Sequence, residues 1–175
     1  MHQSGKFEIV ILRPSMFYGP PVPDRHVDVY RRIISGRMPM VGHGDFRRSI
    51  TYIDNLVQAT RLAMTHRAAS GETFYVVDQP IYSTRAITEA MAKALGVQLK
   101  VIRLPVASGA AAYLVDRALA AAGIYWQNVH LLGEAHWHVA LSCRKLQERL
   151  GYQPTVTLDE GMSRAVEWCR GRSLL

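Results

Sequence analysis

The segment Ile11-Leu12-Arg13-Pro14-Ser15-Met16-Phe17-Tyr18-Gly19-Pro20-Pro21 constrains the fold of this chain more than any other. An aliphatic run ends in Arg-Pro, an aromatic pair follows, and Gly-Pro-Pro closes the stretch. Apolar residues at consecutive positions suit a parallel strand covered on both faces. Pro14 and the Gly19-Pro20-Pro21 run then stop the ladder and stiffen the loop that follows. In α/β folds, ligands bind where strands end in this way.

The rest of the chain alternates strand and helix signals. A strand is expected over Lys6–Leu12 and a helix over His26–Ser35, with Val29, Ile33 and Ile34 inward and Gly36 as its stop. Met40–Gly44 reads as an extended piece turning at Gly42-His43-Gly44, and Ser49–Ile53 as a short strand. Asp54 suits a helix N-cap, ahead of a face formed by Leu56, Thr60, Ala63 and Met64. Thr73–Val77 is a second buried strand. Ser83 or Thr84 caps a helix with the stripe Ile87, Met91, Ala94 and Leu95, ended by Gly96. Val97–Leu104 reads as extended up to Pro105. Ile124–Val139 gives no assignment. Ser142 opens a helix through Leu146 and Leu150. Thr157-Leu158-Asp159-Glu160 is a capping box before Leu158, Met162, Ala165, Val166 and Cys169. The alternation predicts an α/β fold with no linker between domains.

Composition narrows the class. The 175 residues suffice for a real core, and 49% hydrophobic with 20% charged residues excludes a disordered chain. Cys143 and Cys169 are too few for a disulfide framework and read as reduced thiols of a cytoplasmic protein. Residues 1–14 lack a cleavage pattern, so no signal peptide is expected. The apolar stretch Leu104–Trp126 holds Asp116 and Arg117 at its centre, each disfavoured by about 2.5–3.5 kcal/mol in a bilayer, so an Ala-rich helix and not a membrane span is expected. The net charge is +7, and Arg25, Arg31, Arg32, Arg37, Arg47 and Arg48 fall in one region. Arginine suits bidentate phosphate recognition, in a nucleic acid or a small diphosphate.

Four blocks, taken in order, resemble the extended short-chain dehydrogenase/reductase family, the NAD-dependent epimerases and dehydratases. They are Leu12–Pro20, Val41–Asn55, Thr73–Asp78 with the helix ending at Leu95-Gly96, and Leu150–Pro154 with Leu158–Met162 and Val166–Trp168. The resemblance implies the C-terminal part of a Rossmann-type parallel sheet with an interleaved small substrate-binding domain, spanning 1–175. It implies that Pro14, Ser15, Met16 and Phe17 line the nicotinamide end of NAD or NADP, and that Tyr18 reaches the substrate. It also implies that Arg48, with Arg47 beside it, contacts the diphosphate of a nucleoside diphosphate-sugar, while Asp54 only caps a helix.

The family's catalytic Tyr-x-x-x-Lys pair is not in this sequence: four residues before Lys6, Lys93, Lys100 and Lys145 stand His2, Glu89, Gly96 and Leu141. The Gly-rich pyrophosphate loop is missing too, since Gly42-His43-Gly44 has the wrong spacing and opens no helix. The expectation is therefore the back half of a longer enzyme, with the dinucleotide-binding half upstream, no catalytic residues of its own, and weak or absent cofactor binding. A first strand without its neighbour would leave a bare sheet edge prone to self-association. A homodimer is left open.

Rival signals are weaker. His136-Trp137-His138 places two imidazoles on one side of an extended segment, but no third metal ligand stands nearby. No Gly-x-Ser-x-Gly turn supports a hydrolase. The Arg-rich segment raises an anion- or nucleic-acid-binding module, but its arginines straddle Gly-Pro turns instead of lying on a recognition helix. Within the resembled family, a 3β-hydroxysteroid or flavonoid-type dehydrogenase is the alternative to a sugar-nucleotide enzyme.

Overall fold

Each strand pair with a defined register in this chain is parallel. The structure is a computed structural model and describes residues 7–175; Lys6, where the first strand was expected to begin, lies outside them. In chain order the elements are β1 (Ile11–Pro14), β2 (Met16–Tyr18), α1 (Asp24–Ile34), β3 (Met38–Val41), β4 (Arg47–Arg48), β5 (Ile50–Tyr52) and α2 (Ile53–Thr65). There follow β6 (Thr73–Val76), β7 (Tyr82–Ser83), α3 (Thr84–Leu95), β8 (Val101–Leu104), α4 (Val106–Ala121), α5 (Gln127–Glu134), α6 (Arg144–Leu150) and α7 (Leu158–Arg170).

The chain divides into two compact units that interleave along the sequence. The first takes the described residues up to Pro23, Ser49–Tyr82 and Ala140–Leu174; the second takes Asp24–Arg48 and Ser83–Val139. The crossings fall at short turns or between adjacent residues, which is why no linker composition marks them.

In the first unit, β1 pairs with β6 from Ile11↔Thr73 to Pro14↔Val76, and β2 pairs with β5 from Met16↔Ile50 to Tyr18↔Tyr52. Its core joins α2, β6 and α6 through Ala59, Phe74, Val76, Leu146 and Tyr152, all without solvent access. Burying each large apolar side chain contributes about 1.5–3 kcal/mol. The inward face of α2 is Asn55, Ala59 and Ala63, spaced four apart, and Met64 points to solvent. Alanines on that face let the helix lie close to the strands. Asp54 does not cap α2: Tyr52 holds the N-cap position, and Asp54 is the second residue of the first turn, paired with Arg164 at 3.1 Å. Of the expected capping box the hydroxyl half forms, Thr157 Oγ1 accepting from Glu160 N, while the Glu160 carboxylate accepts from Arg164; α7 buries the five residues expected of it together with Gly161. β1 departs from expectation. Among the described residues it pairs with β6 alone, and Ile9 and Ile11 are exposed, so the strand is not covered on both faces.

In the second unit, β3 and β8 pair in parallel from Met38↔Val101 to Val41↔Leu104, and α1 packs on α3. α1 buries Val27, Tyr30 and Ile33, a stripe three residues apart, leaving Ile34 exposed and Val29 half-buried. Ser83 caps α3 by accepting from Ala86 N at 3.1 Å, and Gly96 ends it at φ +75°. The stretch that gave no assignment from sequence contains α5, which packs against α4.

Tyr18, Tyr52 and Gly161 meet in the first unit. The two rings are edge-on with centroids 5.3 Å apart, and a Cβ on Gly161 would lie 2.7 Å from Tyr52 Cδ2 and 2.9 Å from Tyr18 Oη. Gly161→Ala is therefore expected to destabilise the chain by about 1–3 kcal/mol through overpacking. Gly171→Ala, whose added methyl meets its nearest heavy atom at 3.5 Å, should leave the urea midpoint nearly unchanged.

Candidate functional site

In the first unit a single residue, Ser15, separates β1 from β2. The register Pro14↔Val76 puts Ser15 just past the end of β1, where its N–H donates to Val76 O at 3.3 Å and its hydroxyl donates to Ser49 O at 2.6 Å. Ser49 is in turn fixed, its Oγ accepting from Leu141 N at 2.8 Å. Ser15 is thus held by backbone on two sides. Met16 and Phe17 follow with 49% and 45% exposure, presenting apolar surface at the strand ends where α/β folds take ligands. Tyr18 is different. It is 4% exposed and packs on Tyr52 and Gly161.

Past β6 stands a buried polar network that sequence reasoning did not single out. Asp78 is 3% exposed; its Oδ2 accepts from Tyr52 N and its Oδ1 from Asn55 Nδ2, each at 2.8 Å. Asn55 also donates to Val156 O, and its Oδ1 accepts from Thr155 N and Val156 N, all at 3.0 Å. Burial pushes the Asp78 carboxyl up to about 6, against the lowering effect of the Asn55 and Tyr52 donors. The ordinary setting, an acid after an apolar strand and an Asn in a first helical turn, carries no signal for a contact spanning 23 residues.

In the second unit, β4 presents Arg47 and Arg48. The two arginines have different surroundings. Arg48 is half-buried, and its guanidinium donates to the Glu134 carbonyl near the C-terminus of α5, where orphan carbonyls favour cations. Burial lowers the Arg48 pKa, and the Glu134 charge opposes this. Arg47 has an exposed side chain, while its backbone is held: its N–H donates to His138 Nδ1 at 3.1 Å and its carbonyl accepts from Val139 N at 2.9 Å. His138 also lies against the Phe46 ring, with centroids 5.4 Å apart. His136 stacks instead on Trp137 and over Gly109, so the two histidines serve different neighbours. Among the described residues no group of three or more His, Cys, Asp or Glu could hold a metal ion.

A third arginine, missed from sequence, joins this surface. Arg85 N donates to Gly44 O and its Nε to His43 O, both at 2.9 Å, clasping the turn in which Gly42 and Gly44 have φ of +59° and +77°. The neighbouring Thr84 N–H donates to Phe46 O at 2.9 Å, which sets Arg85 close in the chain path to Arg47. The Gly-x-Gly turn is thus a clasp for an arginine and not a dinucleotide loop.

With this geometry in view, the relatives are informative. A profile of the 3-beta hydroxysteroid dehydrogenase/isomerase family matches residues 1–106. The protein y4nL of Sinorhizobium fredii, itself uncharacterized, is 39% identical over 168 residues, covering 93% of this chain and 47% of that one. A 3beta-hydroxysteroid-dehydrogenase/decarboxylase of Arabidopsis thaliana is 26% identical over 172 residues, covering 89% of this chain and 39% of that protein. The solved UDP-glucuronic acid 4-epimerase of Bacillus cereus, in complex with UDP-glucuronic acid and NAD, superposes with a TM-score of 0.67 at 22% identity, covering 98% of this chain and 48% of that one. The fold is therefore that of the extended short-chain dehydrogenases/reductases, and the chain belongs to the 3-beta hydroxysteroid dehydrogenase/isomerase family, whose wider class holds NAD-dependent epimerases and dehydratases. The chain spans about half the length of the curated relatives it matches or less, 47% and 39% in these two. Among the described residues no helix is long and apolar enough to cross a membrane.

The raised Asp78 pKa has a signed consequence. Between its ordinary value of 3.8 and about 6 the folded chain holds a proton that the unfolded chain has lost. Stability from this group is fully present below the lower value and is lost as pH rises through the upper one, by about 3 kcal/mol in all. Urea unfolding as a function of pH should show that decline, and Asp78→Asn, less stable at the outset, should lack it.

Proposed function

We propose that this chain carries the substrate-binding half of an NAD(P)-dependent enzyme that oxidises a ring hydroxyl of a nucleoside diphosphate-sugar. The observation that carries the reading is the basic surface of the second unit, where Arg47 is exposed on a backbone held by His138 and Val139, and Arg48 and Arg85 are held by carbonyls. Forked, pre-positioned guanidiniums suit a diphosphate. The solved relative with UDP-glucuronic acid and NAD supports the same ligand class.

The first unit fits the nicotinamide end of the cofactor. Met16 and Phe17 offer apolar faces beside the tethered Ser15, matching a flat ring with one polar edge. Pro14, Ser15, Met16 and Phe17 would hold that end, NAD and NADP being equally served. When bound, the cofactor supplies the acceptor for the hydride leaving the carbinol carbon. The Tyr-x-x-x-Lys pair that would take the hydroxyl proton in this class is not in this sequence. Return of the hydride, loss of water and release of the ketone are three outcomes open to such a site.

A second reading is favoured by one observation: the family profile and the plant relative both concern 3β-hydroxysteroid enzymes. A sterol would need no diphosphate donor, so the two readings part at Arg47. Titration with UDP should show binding that Arg47→Ala weakens by about ten-fold or more, the loss expected for a charged hydrogen bond. Binding of a 3β-hydroxysteroid, unchanged by Arg47→Ala, with no binding of UDP, would instead establish the second reading. Tighter binding to single-stranded DNA, falling steeply with salt, would point to the nucleic-acid alternative. Given NAD and a UDP-sugar, the chain alone should form no reduced cofactor; turnover would contradict its assignment as a half.

A further inference from the structure

The backbone of Arg47 is tied on both sides to His138 and Val139, and one of the two ties depends on a proton. The Arg47 carbonyl accepts from Val139 N at 2.9 Å, a bond that no titration touches. The Arg47 N–H donates to His138 Nδ1 at 3.1 Å. A ring nitrogen that accepts carries no proton, so His138 is here a neutral imidazole with its hydrogen on Nε2. An imidazolium has a proton on each nitrogen and accepts nothing. The Phe46 ring lies against the imidazole with centroids 5.4 Å apart. The Phe46 carbonyl accepts from Thr84 N and Thr84 Oγ1 at 2.9 and 3.1 Å. The peptide group entering Arg47 is thus held on its oxygen side by α3 and on its nitrogen side by His138. The Arg47 side chain is exposed, so this backbone aims it.

The charged groups around the tie are already engaged or point to solvent. Arg48, next in β4, has its guanidinium on the Glu134 carbonyl. The Glu134 carboxylate lies 3.7 Å from His130 Nε2, and Asp116 Oδ2 lies 2.9 Å from His130 Nδ1. Arg85 of α3 is turned to the His43 carbonyl and the Glu89 carboxylate. His136 stacks on Trp137, and Asp45 is exposed two residues ahead of Arg47. Among the described residues no acid forms an ion pair with His138.

We propose that His138 is a positioning residue for Arg47 and makes anion binding at this surface pH-dependent. The neutral imidazole holds Arg47 in its binding geometry, and protonation releases it. This role rests on the diphosphate reading of the arginine surface and adds its regulation. The sign is opposite to that of simple charge attraction, since one more cation beside Arg47 would tighten a diphosphate. His130 does not produce it: its hydrogen bond to Asp116 raises its pKa, so acid strengthens that pair.

UDP-glucose is the probe, because both its phosphates are esterified and neither has the ionisation at about pH 6 of a terminal phosphate. It should bind the full chain about five-fold more weakly at about pH 5 than at about pH 8, the loss of one hydrogen bond across the range where imidazoles take up a proton. His138→Asn, whose side-chain oxygen accepts at every pH, should keep the wild-type affinity of the higher pH at both. His138→Ala should bind about five-fold more weakly at both. Circular dichroism checks that each protein stays folded. Nitrogen NMR of the histidine rings gives a reading without ligand: His138 should be the Nε2–H tautomer at the higher pH, and the Arg47 amide should shift in step with its protonation. A His138 proton on Nδ1, or binding that tightens on acidification, would overturn the proposal. Binding that needs Arg47 but is equal at both pH values would overturn the role of His138 and leave the diphosphate reading standing. No binding of UDP-glucose at either pH, with the Arg47 amide still following His138, would strike the diphosphate reading and this role with it.

Discussion

Asn55 has no access to water, and three separate segments of the first unit depend on it. Its side chain donates to Asp78 and Val156 and accepts from Thr155 and Val156, while Asp78 also secures the Tyr52 N–H. A buried amide with every partner supplied is a strong constraint, because removing any one leaves a group that water cannot reach. The network joins the start of α2, the chain after β6 and the approach to α7. It lies next to the strands β2 and β5, whose register sets where Ser15, Met16 and Phe17 emerge. The position of the proposed cofactor wall thus rests on a polar core that contributes no atom to it.

The second unit solves the corresponding problem with cations. Arg48 is drawn onto the Glu134 carbonyl at the end of α5, and Arg85 onto the His43 carbonyl of the Gly42-His43-Gly44 turn and the Glu89 carboxylate. Each arginine gives part of its donor set to the fold, which fixes the direction of the rest. Arg47, beside them, has its backbone tied and its side chain open. A surface of this kind is pre-positioned for an anion, and holding the groups in advance lowers the entropy lost on binding.

Much of this was legible from residue patterns, for local reasons. The hydroxyl cap at Thr157, the cap at Ser83 and the stops at Gly36 and Gly96 are each set by residues within four positions, and the structure contains them. The inward faces of α1 and α2 were harder to read. Apolar spacing favoured Ile34 and Met64, whereas close packing chose Val27 and Tyr30 on α1 and the small Ala59 with Asn55 on α2. α5 escaped notice because its only buried residue is a glycine, so no apolar stripe announces it. The burial of Tyr18 was not legible locally, because the residue its ring packs against is Gly161, far along the chain. The Asn55–Asp78 network and the clasp on Arg85 are long-range pairings that no local pattern encodes.

The division of labour between the units is tested most directly by amide chemical-shift mapping of the full chain. Titrated with UDP, the amides of Arg47, Arg48 and Arg85 should shift while those of Ser15, Met16 and Phe17 stay in place; nicotinamide mononucleotide should do the reverse. UDP shifts centred on Ser15–Phe17, or no saturable shift in either set, would contradict the assignment of diphosphate to the arginine surface and nicotinamide to the β1–β2 junction.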